Sequence, residues 1–161
     1  MWESSYCSPM PQTSPSTRSS RNERTAGPVR VLVVDDDRDS VEMLKILLDM
    51  NGGATDVAYD GIEAVRLAEE LLPEIVLLDI GLPKIDGFEA CRRIRRSAWG
   101  KSMIVVALTG RGLDEDRAMS QRSGFDMHLV KPVEPELLLT VLAATPRSPR
   151  RRPPVDEYPG R

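Results

Sequence analysis

Asp79 is the residue of this chain whose position most clearly suggests chemistry. It follows the apolar run of residues 75–78 and precedes three residues that break regular structure, Gly81, Pro83 and Gly87. The run predicts a fully buried strand of a parallel sheet. A carboxylate at the carboxyl end of such a strand lies at the edge where open α/β sheets place their ligands. An aspartate in that position can act as a nucleophile and form an acyl phosphate.

Other reactive groups follow predicted strands in the same way: Asp35, Asp36 and Asp37 follow the first, Thr109 the fourth and Lys131 the fifth. Each alone is typical of a solvated loop or a helix cap. Together they would share one rim with Asp79, where grouped carboxylates raise each other's pKa unless a cation lies among them. Oxygen donors without His or Cys favour Mg²⁺, or another hard cation such as Mn²⁺, over zinc.

The remaining two groups complete a site for a phosphoryl group. Lys131 would place a positive charge beside one phosphoryl oxygen, and Thr109 would donate a hydroxyl hydrogen bond to another. Positioning and charge neutralisation are most of what phosphoryl transfer requires of a protein.

Apolar runs alternate with segments of helical periodicity from residue 29 to residue 144. The alternation predicts an α/β fold, a doubly wound (βα)5 sandwich of a parallel sheet between two helical layers. Five strands are too few for a closed eight-stranded barrel. The predicted strands are Val29–Val34, Thr55–Tyr59, the run ending at Asp79, Met103–Leu108 and Met127–Val130. The predicted helices run from about Ser40 to a stop at Gly52-Gly53, and over Gly61–Leu72 (Ile62, Val65, Leu67 and Ala68 inward), Phe88–Arg96, Leu113–Ser123 and Pro135–Ala144.

Composition divides the 161 residues into three parts. Residues 1–28 are rich in Ser, Pro, Thr and Arg and are predicted to form a disordered N-terminal arm. Residues 29–144 carry 14 Lys and Arg against 21 Asp and Glu, a net charge of −7, and are predicted to form the folded domain. Residues 145–161 are predicted to form a disordered, basic tail rich in Pro and Arg. An acidic domain does not favour direct DNA binding, because phosphate contacts require cationic surface.

The sequence also predicts a cytoplasmic protein without a membrane span. No apolar segment approaches the ~20 residues that cross a bilayer, and the N-terminus lacks the regions of a signal peptide. Cys7 and Cys91 do not form a disulfide framework.

Four motifs resemble the receiver domain of two-component response regulators, the CheY-like family, in order and spacing. The resemblance covers about Val29 to Ala144 and implies a flavodoxin-like sheet of strand order 2-1-3-4-5. The motifs are Val31-Leu32-Val33-Val34-Asp35-Asp36-Asp37, Leu77-Leu78-Asp79 through Asp86-Gly87, Ala107-Leu108-Thr109-Gly110 and Val130-Lys131-Pro132.

The resemblance implies a role for each site residue. Asp79 would be the phospho-acceptor that becomes a 4-aspartylphosphate, and Thr109 and Lys131 would bind the phosphoryl oxygens. Asp37 is expected to face the start of the first helix instead. The Mg²⁺ (or Mn²⁺) ligands would be Asp35, Asp36, Asp79 and the backbone carbonyl of Gly81.

Two further expectations concern the fifth strand. The Lys131-Pro132 peptide is expected to be cis, as is typical of the family. His128 occupies the position where many receivers carry an inward-turning Tyr or Phe, so Thr109 and His128 form a candidate switch pair. The alternative for His128 is a half-exposed side chain with no part in switching.

The resemblance implies a signalling module rather than an enzyme, with only its own phosphorylation and dephosphorylation as chemistry. The donor would be a sensor histidine kinase or a histidine phosphotransfer protein. A conformational change at the face formed by the fourth helix, fifth strand and fifth helix would act on an unknown downstream protein. Because only a short tail follows residue 144, we expect a stand-alone receiver.

The alternative from another class is a Mg²⁺-dependent phosphatase with an aspartate nucleophile, similar to the haloacid dehalogenases. That family places its nucleophile after the first strand in an Asp-x-Asp-x-Thr/Val pattern, and Asp35-x-Asp37-x-Asp39 does not match the last position. A nucleotide-binding Rossmann module fits less well, because acids stand where a glycine-rich phosphate loop should be.

Overall fold

The computed structural model describes residues 27–110 and 114–147 as five strands, five α-helices and one short 3₁₀ helix. The strands are β1 (Val29–Val34), β2 (Gly53–Ala58), β3 (Ile75–Asp79), β4 (Ile104–Thr109) and β5 (Met127–Val130). The helices are α1 (Arg38–Met50), α2 (Gly61–Leu71), α3 (Gly87–Arg96), α4 (Asp114–Ser123) and α5 (Pro135–Ala144), and the 3₁₀ helix is Ala98–Ser102.

The strands form one parallel sheet of order β2-β1-β3-β4-β5. Successive residues of β1 enter different cores, because side chains alternate across a strand. Leu32 and Val34 pack in the core beneath α2 and α3, whereas Val31 and Val33 pack in the core beneath α1 and α5. The structure therefore confirms the doubly wound, three-layer fold and its strand order.

The first helix begins two residues before the predicted start. The side chain of Asp37 caps it, accepting hydrogen bonds from the Asp39 amide at 3.2 Å and the Ser40 hydroxyl at 2.7 Å. Asp37 thus faces the helix start, as expected, because its carboxylate satisfies amide groups that have no partner within the helix.

The predicted start of β2 was wrong by two residues. Helix α1 ends at Met50 with Asn51 as its cap, so Gly53 is already in the strand and pairs with Val29 rather than ending the helix. The 3₁₀ helix was not predicted, since its five residues carry no clear periodicity.

The ends of the chain fall largely outside the described residues. The predicted arm before residue 27, the tail beyond residue 147 and the predicted helix start at Leu113 cannot be compared with the structure. Thr145, the first residue of the predicted tail, caps α5: it is buried, and its hydroxyl donates to the Val141 carbonyl at 2.7 Å. Within the described ranges, no helix has both the length and the apolar character needed to cross a membrane.

Candidate functional site

Asp79 is the last residue of β3 and lies near the centre of the sheet edge. It stands opposite Leu108 of β4 and retains only 8% of its surface exposed. Burial is the largest influence on its carboxyl group and raises the pKa, and the charge of Asp35 raises it further. The charge and hydrogen bond of Lys131 and the Gly81 amide act in the opposite direction, and the net result is a pKa above the ordinary carboxyl value.

Asp35 and Asp36 follow β1 directly, the strand next to β3 in the sheet. Asp35 is buried, and its carboxylate accepts a hydrogen bond from the Asp37 amide at 3.0 Å. Asp36 is exposed. One carboxylate oxygen from each of Asp35, Asp36 and Asp79 lies within 4.8 Å of the others. The fold therefore brings together the three acids that the sequence predicted.

This acidic cluster fits a hard divalent cation. Its three side chains supply oxygen donors only, which is the donor set that Mg²⁺ and Mn²⁺ prefer. Two of the acids, Asp35 and Asp79, are buried beside each other, and adjacent buried carboxylates repel unless a positive charge lies between them.

Lys131 supplies one such charge from the end of β5. Its backbone amide donates to the Thr109 carbonyl at 2.7 Å, which extends the β4–β5 pairing, and the Lys131-Pro132 peptide is cis, as expected. Its ammonium forms a short hydrogen bond to Asp35 and lies 3.3 Å from Oδ1 of Asp79. Burial lowers the pKa of Lys131, but the Asp35 hydrogen bond and the charges of Asp79 and Asp35 outweigh it and hold that pKa above the usual value.

Thr109 ends β4 and is buried, between the strands that carry Asp79 and Lys131. Its Oγ1 lies 3.4 Å from Nε2 of His128, a half-buried residue of β5. The structure thus places the two predicted switch residues in contact on neighbouring strands.

The loop between β3 and α3, residues 80–86, follows Asp79 directly and contains Gly81. At its start, the Ile80 amide donates to the Leu108 carbonyl at 3.1 Å, and at its end the Gly87 amide donates to the Ile80 carbonyl at 3.0 Å. A Cβ on Gly87 would stand 2.3 Å from the Asp79 carbonyl oxygen. Only glycine therefore allows α3 to begin so close to the residue that carries the central carboxylate.

A groove of about 320 Å³ opens beside the acids, and sequence reasoning did not identify it. Its apolar walls come from Met43 and Leu44 of α1 and from Pro132 and Val133, which follow β5. Asp35 and Lys131 also line it, so the groove leads to the site. The exposed methionine gave a weak signal only, because a single exposed apolar residue is common on protein surfaces.

The chain resembles known proteins over most of its length. The family description of the response regulator receiver domain matches residues 31–143. An uncharacterized 14.6 kDa protein of Leptolyngbya boryana is 37% identical over 119 residues, which are 74% of this chain and 91% of that protein. The response regulator MprA of Mycobacterium sp. (strain KMS) is 39% identical over 132 residues, 82% of this chain, which spans about half (55%) of MprA.

Among solved structures, the receiver domain of the sensor histidine kinase PA1611 from Pseudomonas aeruginosa PAO1 superposes with a TM-score of 0.67 at 31% identity. The match covers 72% of this chain and 95% of that domain, whose structure has a magnesium ion coordinated in its active-site cleft. The family match spans most of the chain and coincides with the sheet whose edge carries the acids. The chain therefore belongs to the response regulator receiver domain family of two-component systems.

Proposed function

We propose that Asp79 accepts a phosphoryl group in a Mg²⁺-dependent reaction and that the resulting acyl phosphate is the signal. The observation that carries the proposal is the arrangement of Asp35, Asp36 and Asp79 within 4.8 Å of one another, with the Lys131 ammonium against two of them. Both the cation and the lysine would counter the charge of the incoming group.

In the proposed reaction an oxygen of Asp79 attacks the phosphorus atom of a phosphohistidine, and the phosphorus–nitrogen bond breaks. The attacking carboxylate must be ionised, and Lys131 favours that form because its charge lowers the pKa of Asp79 against the effect of burial. Lys131 and the Thr109 hydroxyl would then bind phosphoryl oxygens. A bound divalent cation, held by Asp35, Asp36, Asp79 and the Gly81 carbonyl, would neutralise charge on the transferring group.

The donor protein, a sensor histidine kinase or a histidine phosphotransfer protein, would dock in the groove beside α1. Met43 lines the groove and begins a stripe of exposed apolar side chains along α1. The stripe consists of Met43, Ile46 and Met50, which are 74%, 52% and 80% exposed. These residues are three and four positions apart and share one helix face. An apolar face next to the acceptor suits a transient protein contact that presents a histidine to Asp79.

The response would pass through Thr109 and His128 to the face formed by α4, β5 and α5. Binding of a phosphoryl oxygen by the Thr109 hydroxyl would draw that hydroxyl away from His128, which now lies 3.4 Å from it. Exposed apolar side chains on this face, Met119, Met127, Val130 and Leu137, suit contact with a downstream protein rather than with DNA.

Reaction with a small-molecule donor tests this function without knowledge of the kinase. With Mg²⁺ and acetyl phosphate or phosphoramidate, the protein should gain one phosphoryl group and release phosphate only at the rate at which that group is lost. The phosphatase alternative predicts instead multiple turnovers of generic phosphate esters. Such turnover, unaffected by substitution of Asp79, would overturn the proposal.

A further inference from the structure

Beyond the residues that would touch the cation or the phosphoryl group, one lysine of the β3–α3 loop has an unusual conformation. Lys84 has a φ of +68°, in the left-handed region that residues other than glycine adopt only at an energetic cost. Such a conformation persists where surrounding contacts fix it.

The main contact of Lys84 is an ion pair with the start of α2. Its Nζ lies 2.6 Å from Oδ2 of Asp60, although the two residues are separated by 24 positions in the chain. Asp60 is itself fixed in place: its side chain caps α2 by accepting the Glu63 amide at 2.8 Å. The Glu63 side chain accepts the amide of Tyr59, the residue before the cap, at 2.9 Å. The N-cap hydrogen bond thus fixes the carboxylate that pairs with Lys84.

Gly61, the residue after Asp60, also brings the β3–α3 loop and α2 into close contact. A Cβ on Gly61 would lie 2.3 Å from the Ile85 carbonyl oxygen and 2.6 Å from its Cγ1, so the loop packs directly on the first turn of α2. Ile85 also packs against the core beneath α2 and α3. Two consecutive residues thus attach the loop to the start of α2: Lys84 by its ion pair with Asp60, and Ile85 by its packing against Gly61. Helix α2 carries none of the proposed metal or phosphoryl ligands.

The same loop carries the group that contacts the acceptor. The Gly81 amide helps to lower the pKa of the Asp79 carboxyl group, and the Gly81 carbonyl is the proposed backbone ligand. Gly81 is exposed, and a Cβ there would meet only Asp79 Oδ2, at 3.8 Å. Its position therefore depends on how the rest of the loop is held.

We propose that Lys84 is a positioning residue: its ion pair with Asp60 holds the β3–α3 loop against α2 and so keeps Gly81 in place for Asp79 and the divalent cation. The inference rests on the proposed function, because it concerns the affinity of that cation site. The Lys84 side chain is 58% exposed, and among the described residues its ion pair is with Asp60 and not with Asp35, Asp36 or Asp79.

The sign of the effect separates positioning from simple charge. Removing a lysine near a cation site should by itself strengthen cation binding, because a repelling charge is lost. If Lys84 acts by positioning, its removal should weaken binding instead. Exposed ion pairs contribute little, so we expect the Mn²⁺ dissociation constant to rise roughly two- to fivefold.

The test uses Mn²⁺ alone as the probe, with binding to the full chain measured by electron paramagnetic resonance of the free ion. Lys84→Ala removes the ammonium, Lys84→Gly also relieves the cost of the positive φ, and Lys84→Arg restores the charge. Arg66→Ala is the control, since it removes a similarly exposed cation on α2, which pairs with Glu63 and Glu70, and leaves the Lys84–Asp60 pair in place.

The proposal predicts weaker Mn²⁺ binding in Lys84→Ala and Lys84→Gly, and binding close to that of the wild type in Lys84→Arg and Arg66→Ala. Mn²⁺ binding in Lys84→Ala that equals or exceeds that of the wild type would overturn the proposal. Wild-type affinity in Lys84→Gly would also overturn it, because the loop would then hold Gly81 in place without the ion pair. Failure of the wild type to bind Mn²⁺ in an Asp35-dependent manner would instead refute the metal site of the proposed function.

Discussion

The ammonium of Lys131 lies 3.3 Å from Oδ1 of Asp79 and also hydrogen bonds to Asp35, so it bridges the two buried acids of the site. A cation held by the same carboxylates must share them with this ammonium. Before the reaction, Lys131 and the metal ion therefore compete for the same carboxylates. Once a phosphoryl group is bound, both would stabilise its negative charge.

Lys131→Met should change metal binding and phosphorylation in opposite directions. Without the ammonium the acids repel each other, so Mn²⁺ should bind more tightly than in the wild type, as measured by paramagnetic resonance. Phosphorylation by acetyl phosphate should slow at least about tenfold, since a hydrogen bond to a charged group contributes roughly 1.5–3 kcal/mol. Weaker metal binding in the variant would show that the lysine does not compete with the cation.

Asp79→Asn should stabilise the metal-free fold at neutral pH. Burial raises the pKa of Asp79, so the folded state binds this proton more tightly than the unfolded chain. The free energy of unfolding therefore falls as pH rises from the ordinary value of 3.8 through the folded pKa. Because a buried polar group without compensation costs about 1–3 kcal/mol, we expect the variant to gain on the order of 1 kcal/mol at pH 7.

Urea unfolding in EDTA at several pH values measures this difference, which should shrink as the pH approaches 3.8. Asp36→Asn is the control: its carboxylate is exposed, and a smaller change is expected. A gain for Asp79→Asn that stays constant with pH would contradict the assignment of the effect to the ionised carboxylate.

Met43→Glu should slow transfer from a histidine kinase without affecting transfer from acetyl phosphate. The charge would enter the apolar wall of the groove beside α1, where a protein donor is proposed to dock, but a small donor needs no such wall. The measurement compares both rates, with a purified kinase that phosphorylates the wild type. Ile62→Glu is the matched control, a similar change on α2 at a residue that is 49% exposed. If both variants slow transfer from the kinase equally, the groove is not part of the docking surface.

His128→Ala should uncouple phosphorylation from its structural effect. The variant should accept a phosphoryl group at a rate within about twofold of the wild type, because His128 lies on β5 and β4 separates that strand from the strand of Asp79. Hydrogen exchange over β5 and α5, measured with and without beryllofluoride, should then show a smaller difference than in the wild type. An unchanged difference would leave His128 without a part in switching.

Much of the fold could be predicted because apolar runs specify buried strands. The predicted bounds of β1, β5 and α5 agree with the structure. Helix faces were harder: Ile62 was expected to face inward but is 49% exposed, whereas Ala64 is fully buried. Periodicity identifies a stripe of apolar residues, but it does not show how closely the helix packs. Because α2 packs closely against the core, the small side chain of Ala64 faces inward and the larger Ile62 does not.

In the site, too, some features could be predicted from the sequence and others could not. Topology alone brings Asp35, Asp79 and Lys131 to one edge, so their proximity could be inferred from strand ends. The pairing of Lys84 with Asp60 could not, because it depends on a positive φ in a loop and on a partner 24 residues away. An aspartate directly before a helix indicates an N-cap, but it does not show which loop residue the cap will also bind.

Intact-mass measurement after incubation with acetyl phosphate and Mg²⁺ tests the central claim most directly. We predict one added phosphoryl group on the wild type, mapped by peptide analysis to Asp79, and none without Mg²⁺ or in Asp79→Ala, while Asp56→Asn, a change on β2, reacts like the wild type. Phosphorylation that persists in Asp79→Ala, or that maps to another residue of the wild type, would contradict the account.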